Sequence, residues 1–260
     1  MEKPRSPMNG AVSDSKAGVV TLDSRPVAKR IGLIVLATDH TSERDFARVC
    51  DPDEVGVYAS RIAYENPTTP ENLSQMGPRL SQAADLILPG EPVDVVAYAC
   101  TAASVVLGND TVFDAIRAAK PGAACVTPST AAFDAFDALG IRRVSVLTPY
   151  TDRVTGQLVD YFGGLGLDIV NHRGLGFDDD REMARIDHTS LLEAGANTIS
   201  EDADALFVSC TAVRAMECIS RLEDRIGKPV ISSNQALVWR SLRLVGVSRR
   251  IQGFGRLFEY

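Results

Sequence analysis

The 260-residue sequence has only three histidines, one tryptophan and 6% aromatic residues. With so few imidazoles, chemistry and metal centres built on several histidines are poorly supplied. A serine hydrolase is unsupported too, because no GxSxG elbow precedes a histidine. No apolar run approaches the roughly 20 residues that cross a bilayer. Basic side chains are outnumbered, 27 against 34 acidic ones, and the formal charge is −7. Nucleic acid and anionic membranes are therefore not expected partners, since phosphate backbones need a basic face. The five cysteines are odd in number and widely spaced, with no CxxC or Cys/His cluster to suggest zinc. They do not form a secreted disulfide framework, so they read as thiols in a reducing, cytoplasmic setting.

What is present is ordinary globular material, 45% hydrophobic and 23% charged, enough for one large domain or two small ones. Residues 1–27 interrupt every apolar stretch with Ser, Asp, Lys or Pro, which suits a disordered or loosely docked tail, or one that covers a neighbouring subunit. From Arg30 onward, short Val- and Ile-rich runs alternate with helical patterns. The runs at Ile31–Leu36, Val55–Arg61, Asp94–Ala99, Ala123–Val126, Arg143–Leu147, Leu167–Asn171, Ala205–Ser209 and Pro229–Ser232 read as strands. Several are apolar at consecutive positions, as buried parallel strands are, so an α/β fold with right-handed crossovers is predicted. The Gly163-Gly164-Leu165-Gly166 run precedes a strand, which makes it a helix stop and not a dinucleotide loop.

An internal repeat is the most informative feature. The segment from Val93 to Ala102 aligns without a gap on that from Ala203 to Ala212. Both contain Asp, five strand-like residues, then Cys-Thr-Ala. A Lys-Pro pair follows each, Lys120-Pro121 and Lys228-Pro229. This spacing is the size of a small domain and predicts two similar lobes, 28–140 and 141–260, with a terminal segment able to cross back.

In a parallel sheet the functional crevice lies at the carboxyl ends of the strands, beside helix N-termini. Cys100 and Cys210 each occupy such an end, and a helix is expected after each, with Cys218 two turns further along the second. Helix dipole and backbone donors are expected to lower the thiol pKa from about 8.5 toward working pH. Two facing lobes would then present two thiols to one cleft. A racemase needs such a pair, one group removing an α-proton and the other returning one to the opposite face. The alternative is a pair of buried cysteines in a duplicated core. Cys50, Cys125 and Cys218 have no equivalents and are assigned to core or surface.

The sequence resembles the Asp/Glu racemase superfamily, within it the branch of maleate isomerase, arylmalonate decarboxylase and the ectoine-utilisation protein EutA, with EutA the nearest likeness. The resemblance runs from Arg30 to Gly246. It rests on Arg30-Ile31-Gly32-Leu33-Ile34-Val35, Ala99-Cys100-Thr101-Ala102, Thr127-Pro128-Ser129, Thr148-Pro149-Tyr150 and Ser209-Cys210-Thr211-Ala212. It implies two pseudo-symmetric Rossmann-like lobes, cofactor-independent chemistry on a small carboxylate in the cleft between them, and a homodimer. Cys100 and Cys210 fall on the family's catalytic cysteines. The decarboxylase branch has glycine at the first position, so Cys100 argues against simple decarboxylation. Tyr150 falls on a carboxylate-binding tyrosine, or else caps the lobe interface. Backbone groups of Thr101, Ala102, Thr211 and Ala212 would complete the carboxylate and enediolate pockets.

Asp39 and Asp180 depart from the maleate isomerases, which the resemblance gives asparagine there. A carboxylate would repel a second substrate carboxylate and attract an ammonium. Asp39 is otherwise a helix cap, and Asp178 and Asp179 belong to a solvated acidic turn. His40, His172 and His188 are surface or capping residues. The expected activity is racemisation or isomerisation of a small amino acid or its derivative, with maleate isomerisation and simple carboxylate binding as alternatives.

Overall fold

The computed structural model describes residues 23–260. In chain order its elements are β1 (Lys29–Leu36), α1 (Ser42–Val49), β2 (Val55–Ile62), α2 (Pro70–Ser74), α3 (Leu80–Asp85), β3 (Val95–Ala99), α4 (Thr101–Leu107), α5 (Asn109–Ala119), β4 (Ala124–Val126) and α6 (Pro128–Leu139). They continue with β5 (Arg143–Tyr150), α7 (Asp152–Gly164), β6 (Asp168–Phe177), α8 (Asp180–Met183), α9 (His188–Ala196), β7 (Ala205–Val208), α10 (Ile219–Ile226), β8 (Val230–Ser232) and α11 (Ser233–Leu244). Each of the eight runs expected as strands overlaps a strand. The strands form two four-stranded parallel sheets, ordered β2-β1-β3-β4 and β6-β5-β7-β8. The identical order is the duplication seen in three dimensions.

Strands β3 and β7 are buried at every residue, which explains their unbroken apolar runs. Much of the repeat outside Cys-Thr-Ala serves the scaffold. Asp94 accepts the Arg30 amide at 2.7 Å, and Asp204 accepts those of Arg142 and Arg143 at 2.9 and 2.8 Å, so each aspartate satisfies backbone where a strand of its sheet begins. Lys120 and Lys228 donate to loop carbonyls at the same edge, those of Leu88 and Ala203 among them.

Helices α6 and α11 are opened by capping boxes, Thr127 with Thr130 and Ser232 with Gln235. Each leaves its own sheet for the other. Phe136 of α6 meets Phe207 of β7 edge-on at 5.6 Å, and α11 packs against β3 and β4. The tail expected over 1–27 lies outside the described residues as far as residue 22, and within the rest Arg25 pairs with Asp94 at 3.0 Å. Helix α7 stops at Gly164, with Gly166 at φ +91°, as the glycine run predicts.

One expectation fails in the second half. No helix follows Cys210: residues 211–214 form turns, a short 3-10 segment covers Ala215–Glu217, and α10 begins only after Cys218. Cys218 is therefore not on a helix shared with Cys210. Cys210 itself sits at φ +97°, a region that favours glycine and directs the chain away from a helical start.

Candidate active site

Cys100 follows β3 and is the N-cap of α4, with its Sγ accepting the Ala103 amide at 3.4 Å. Cys210 follows β7, and its Sγ accepts the Ala212 amide at 3.3 Å. Both thiols line one cleft with Asp39, Ala102, Tyr150, Asp180, Thr211 and Ala212. Of the expected site residues only Thr101 is absent from the wall. It is fully buried behind it, because in the first turn of α4 its side chain points into the lobe junction.

The cleft is nearly closed, with about 20 Å³, space for about one water molecule. A larger groove of about 720 Å³ lies outside it, lined by His40, Thr41, Arg44, Arg181, Arg185 and Arg214 among others, but it contains neither cysteine. The two thiols converge only in the inner cleft, which makes it the candidate site.

Asp39 meets both the cleft and the backbone that enters α1. Its carboxylate faces the cleft and also accepts the amides of Thr41 and Ser42 at 2.9 and 2.8 Å and the Ser42 hydroxyl at 2.7 Å, tying down the start of α1. Asp180 is a seam between the halves. It accepts the Thr38 hydroxyl and, at 2.7 Å, the Asn66 amide, while its own amide donates to Asn66 at 3.2 Å. Asp179 is no free surface charge: it caps α8 and pairs with Arg181 at 2.5 Å, which holds its pKa down at about 2.

Tyr64, Thr68, Leu73 and Met183 also line the cleft and were missed. Tyr64 and Thr68 share a hydroxyl contact at 2.8 Å on the loop after β2. Nothing in that loop's sequence signals a site, and only the fold carries it across to the second lobe. No histidine lines the cleft: His40 faces the outer groove, His172 is exposed on β6, and His188 lies 3.4 Å from Glu217. Among the described residues no cluster of His, Cys, Asp or Glu could hold a metal ion.

The expected lowering of the thiol pKa is reversed. Burial pushes Cys100 well up and Cys210 up to about 12, against the pull of the Ala103 amide on the first and the Tyr150 hydroxyl and Ala212 amide on the second. Asp180 adds to the rise in both. Desolvation outweighs the backbone donors because the cleft is so nearly sealed.

Asp45, on α1 below the cleft, is raised from 3.8 to about 7, first by burial. The folded protein then binds this proton more tightly than the unfolded chain, so its contribution is complete below about pH 4 and disappears as pH rises through 7. Between pH 4 and 8 the wild type should lose on the order of a few kcal/mol from this group. Asp45→Asn should flatten that slope in melting experiments, and superimposable profiles would refute the assignment.

A family model described as arylmalonate decarboxylase matches residues 68–258. Arylmalonate decarboxylase of Bordetella bronchiseptica is 35% identical over 141 residues, covering 53% of this chain and 59% of that protein. Maleate isomerase of Geobacillus stearothermophilus is 26% identical across 88% of this chain and 97% of its own length. Among solved structures, maleate isomerase of Pseudomonas putida superposes with a TM-score of 0.81 at 26% identity, covering 90% of this chain and 98% of that one. A double variant of arylmalonate decarboxylase, with glycine changed to cysteine and cysteine to serine, superposes at 0.79 with 30% identity, covering 89% and 99%.

Proposed function

Because the chain belongs to the arylmalonate decarboxylase family, within the Asp/Glu racemase-like superfamily, we propose that it is a cofactor-independent isomerase that racemises a small amino acid or amino-acid derivative. The observation that carries this reading is the wall of the inner cleft. It holds two thiols and two carboxylates, Asp39 and Asp180, and no Lys, Arg or His. A dianion would meet two carboxylates and no cation on that wall, whereas a substrate ammonium would be attracted. The thiolate of one cysteine takes the α-proton, the resulting enediolate is held by hydrogen-bond donors such as Tyr150, and the thiol of the other returns a proton to the opposite face. Each turnover leaves the two sulfurs with their protonation exchanged. The proposal includes substrates of the diaminobutyrate kind met in ectoine utilisation, and a cytoplasmic homodimer.

Maleate cis–trans isomerisation is the second reading, favoured by a maleate isomerase match that spans nearly the whole relative. There Cys100 would add to the double bond as Cys210 gives the other carbon a proton, and after rotation about the resulting single bond Cys210 would take a proton back as the carbon–sulfur bond breaks. Proton NMR in D2O separates the two. Racemisation washes solvent deuterium into the α-carbon with loss of optical activity. Conversion of maleate to fumarate, with no α-exchange across a panel of amino acids and acetylated diaminobutyrates, would overturn the amino-acid reading.

A further inference from the structure

The Cys210 turn is held in an unfavourable backbone conformation by groups that come from elsewhere in the chain. Its φ of +97° is a cost for a non-glycine residue and persists only where the surroundings enforce it. The Cys210 amide donates to Ser233 Oγ at 3.0 Å, and the Thr101 hydroxyl, one residue after Cys100, donates to the same oxygen at 2.8 Å. One buried serine thus bridges the turns of both cysteines. Around it, Asn234 donates to the Thr211 carbonyl at 2.9 Å and to Asp45 at 2.8 Å, Thr41 donates to the same Thr211 carbonyl, and the Thr211 hydroxyl donates to the Ala99 carbonyl at 3.0 Å. Ser233, Asn234 and Thr101 are at most 2% exposed, and none of them lines the cleft.

We propose that Ser233 and Asn234, at the start of α11, are positioning residues that set Cys210 across the cleft from Cys100, with Thr101 as the strut from the other side. This rests on the reading that both cysteines act in the reaction. The two thiols come from separate sheets, so their separation depends on whatever crosses between the lobes. A buried three-group contact at Ser233 Oγ does that with short, directional bonds. Without the serine oxygen, the Cys210 amide would have to find a new partner, and the turn could relax toward negative φ, carrying the sulfur away from the reacting carbon. Misplacement on the scale of an ångström is costly to a reaction that transfers protons at two opposed faces.

The test compares Ser233→Ala, Thr101→Val and Thr101→Ser with wild type. Thr101→Val is nearly isosteric and removes the hydroxyl, and Thr101→Ser restores it. Loss of the bridge should lower kcat about ten- to a hundredfold with KM changed by less than about threefold. It should also change the rate at which iodoacetamide alkylates Cys210, followed by peptide mass spectrometry, by more than about fivefold, with Cys100 affected less. Thr101→Ser should return both readouts most of the way. If Ser233→Ala fails to fold, the Thr101 pair decides the matter. Wild-type kcat and Cys210 alkylation in folded Thr101→Val would overturn the proposal, as would failure of Thr101→Ser to rescue. The alkylation readout does not depend on turnover. Full activity of a Cys210→Ser variant would defeat the catalytic reading, while the alkylation rates would still report on the clamp.

Discussion

Changing either Cys100 or Cys210 to serine should lower racemisation by about a thousandfold or more, since a positioned acid or base is worth roughly 10²–10⁴ and serine is a far weaker acid than cysteine. Both sulfurs are buried in the same cleft, with no histidine on its wall to substitute for them. The double variant should be little worse than either single one, because the two groups act as a unit and their losses do not add. Isotope exchange carries the sharper signature. A variant keeping one thiol can still remove and return the α-proton on that face, so it should exchange deuterium into one enantiomer without inverting it. Which enantiomer exchanges should switch between the Cys100 and Cys210 variants. Inversion at the wild-type rate in either variant would rule out a two-thiol mechanism.

A second large effect is expected in the pH profile. In the proposed mechanism a cysteine takes the α-proton only as its thiolate, and burial raises both thiols, Cys210 to about 12 and Cys100 well above its ordinary value. Below such values the thiolate fraction grows tenfold with each pH unit. kcat/KM should therefore climb with a slope near one on a logarithmic plot from about pH 6 to 9, close to a thousandfold overall. The two sulfurs influence one another, so the limb reports the pair and not one residue. Asp180→Asn removes a charge that raises both, and should move the limb toward lower pH. A flat profile over this range would show that the resting enzyme already holds a thiolate against the cost of burial.

The difference between expected and observed thiol chemistry shows where sequence reasoning stopped. Strands such as β3 and β7 were legible because they are buried on both faces and so spell continuous apolar runs. The pairing of Cys100 with Cys210 was legible because a gap-free repeat carries both. A helix was expected after Cys210 as after Cys100, but the second copy reads Thr-Ala-Val-Arg where the first reads Thr-Ala-Ala-Ser, and its backbone turns instead. The pKa direction depends on how tightly the opposite lobe closes over the sulfur, a property no local window contains. Tyr64, Thr68 and Asn66 were invisible for the same reason. They belong to a loop of the first lobe whose role is defined by what it meets in the second, Asn66 by its bond to Asp180. Asp39 shows that holding a helix entry and lining a cleft are not exclusive, since one residue does both.

The exchange of α6 and α11 between the sheets bears on how the chain acquires its structure. Besides Phe133 on its own helix, Phe136 packs on Phe162 and Phe207, both from residues beyond 140, and α11 covers strands made more than a hundred positions earlier. Neither repeat can finish its own core, so the protein should melt as one cooperative unit despite its doubled sequence. During synthesis the first repeat must wait, with α6 uncovered, until the last helix has emerged.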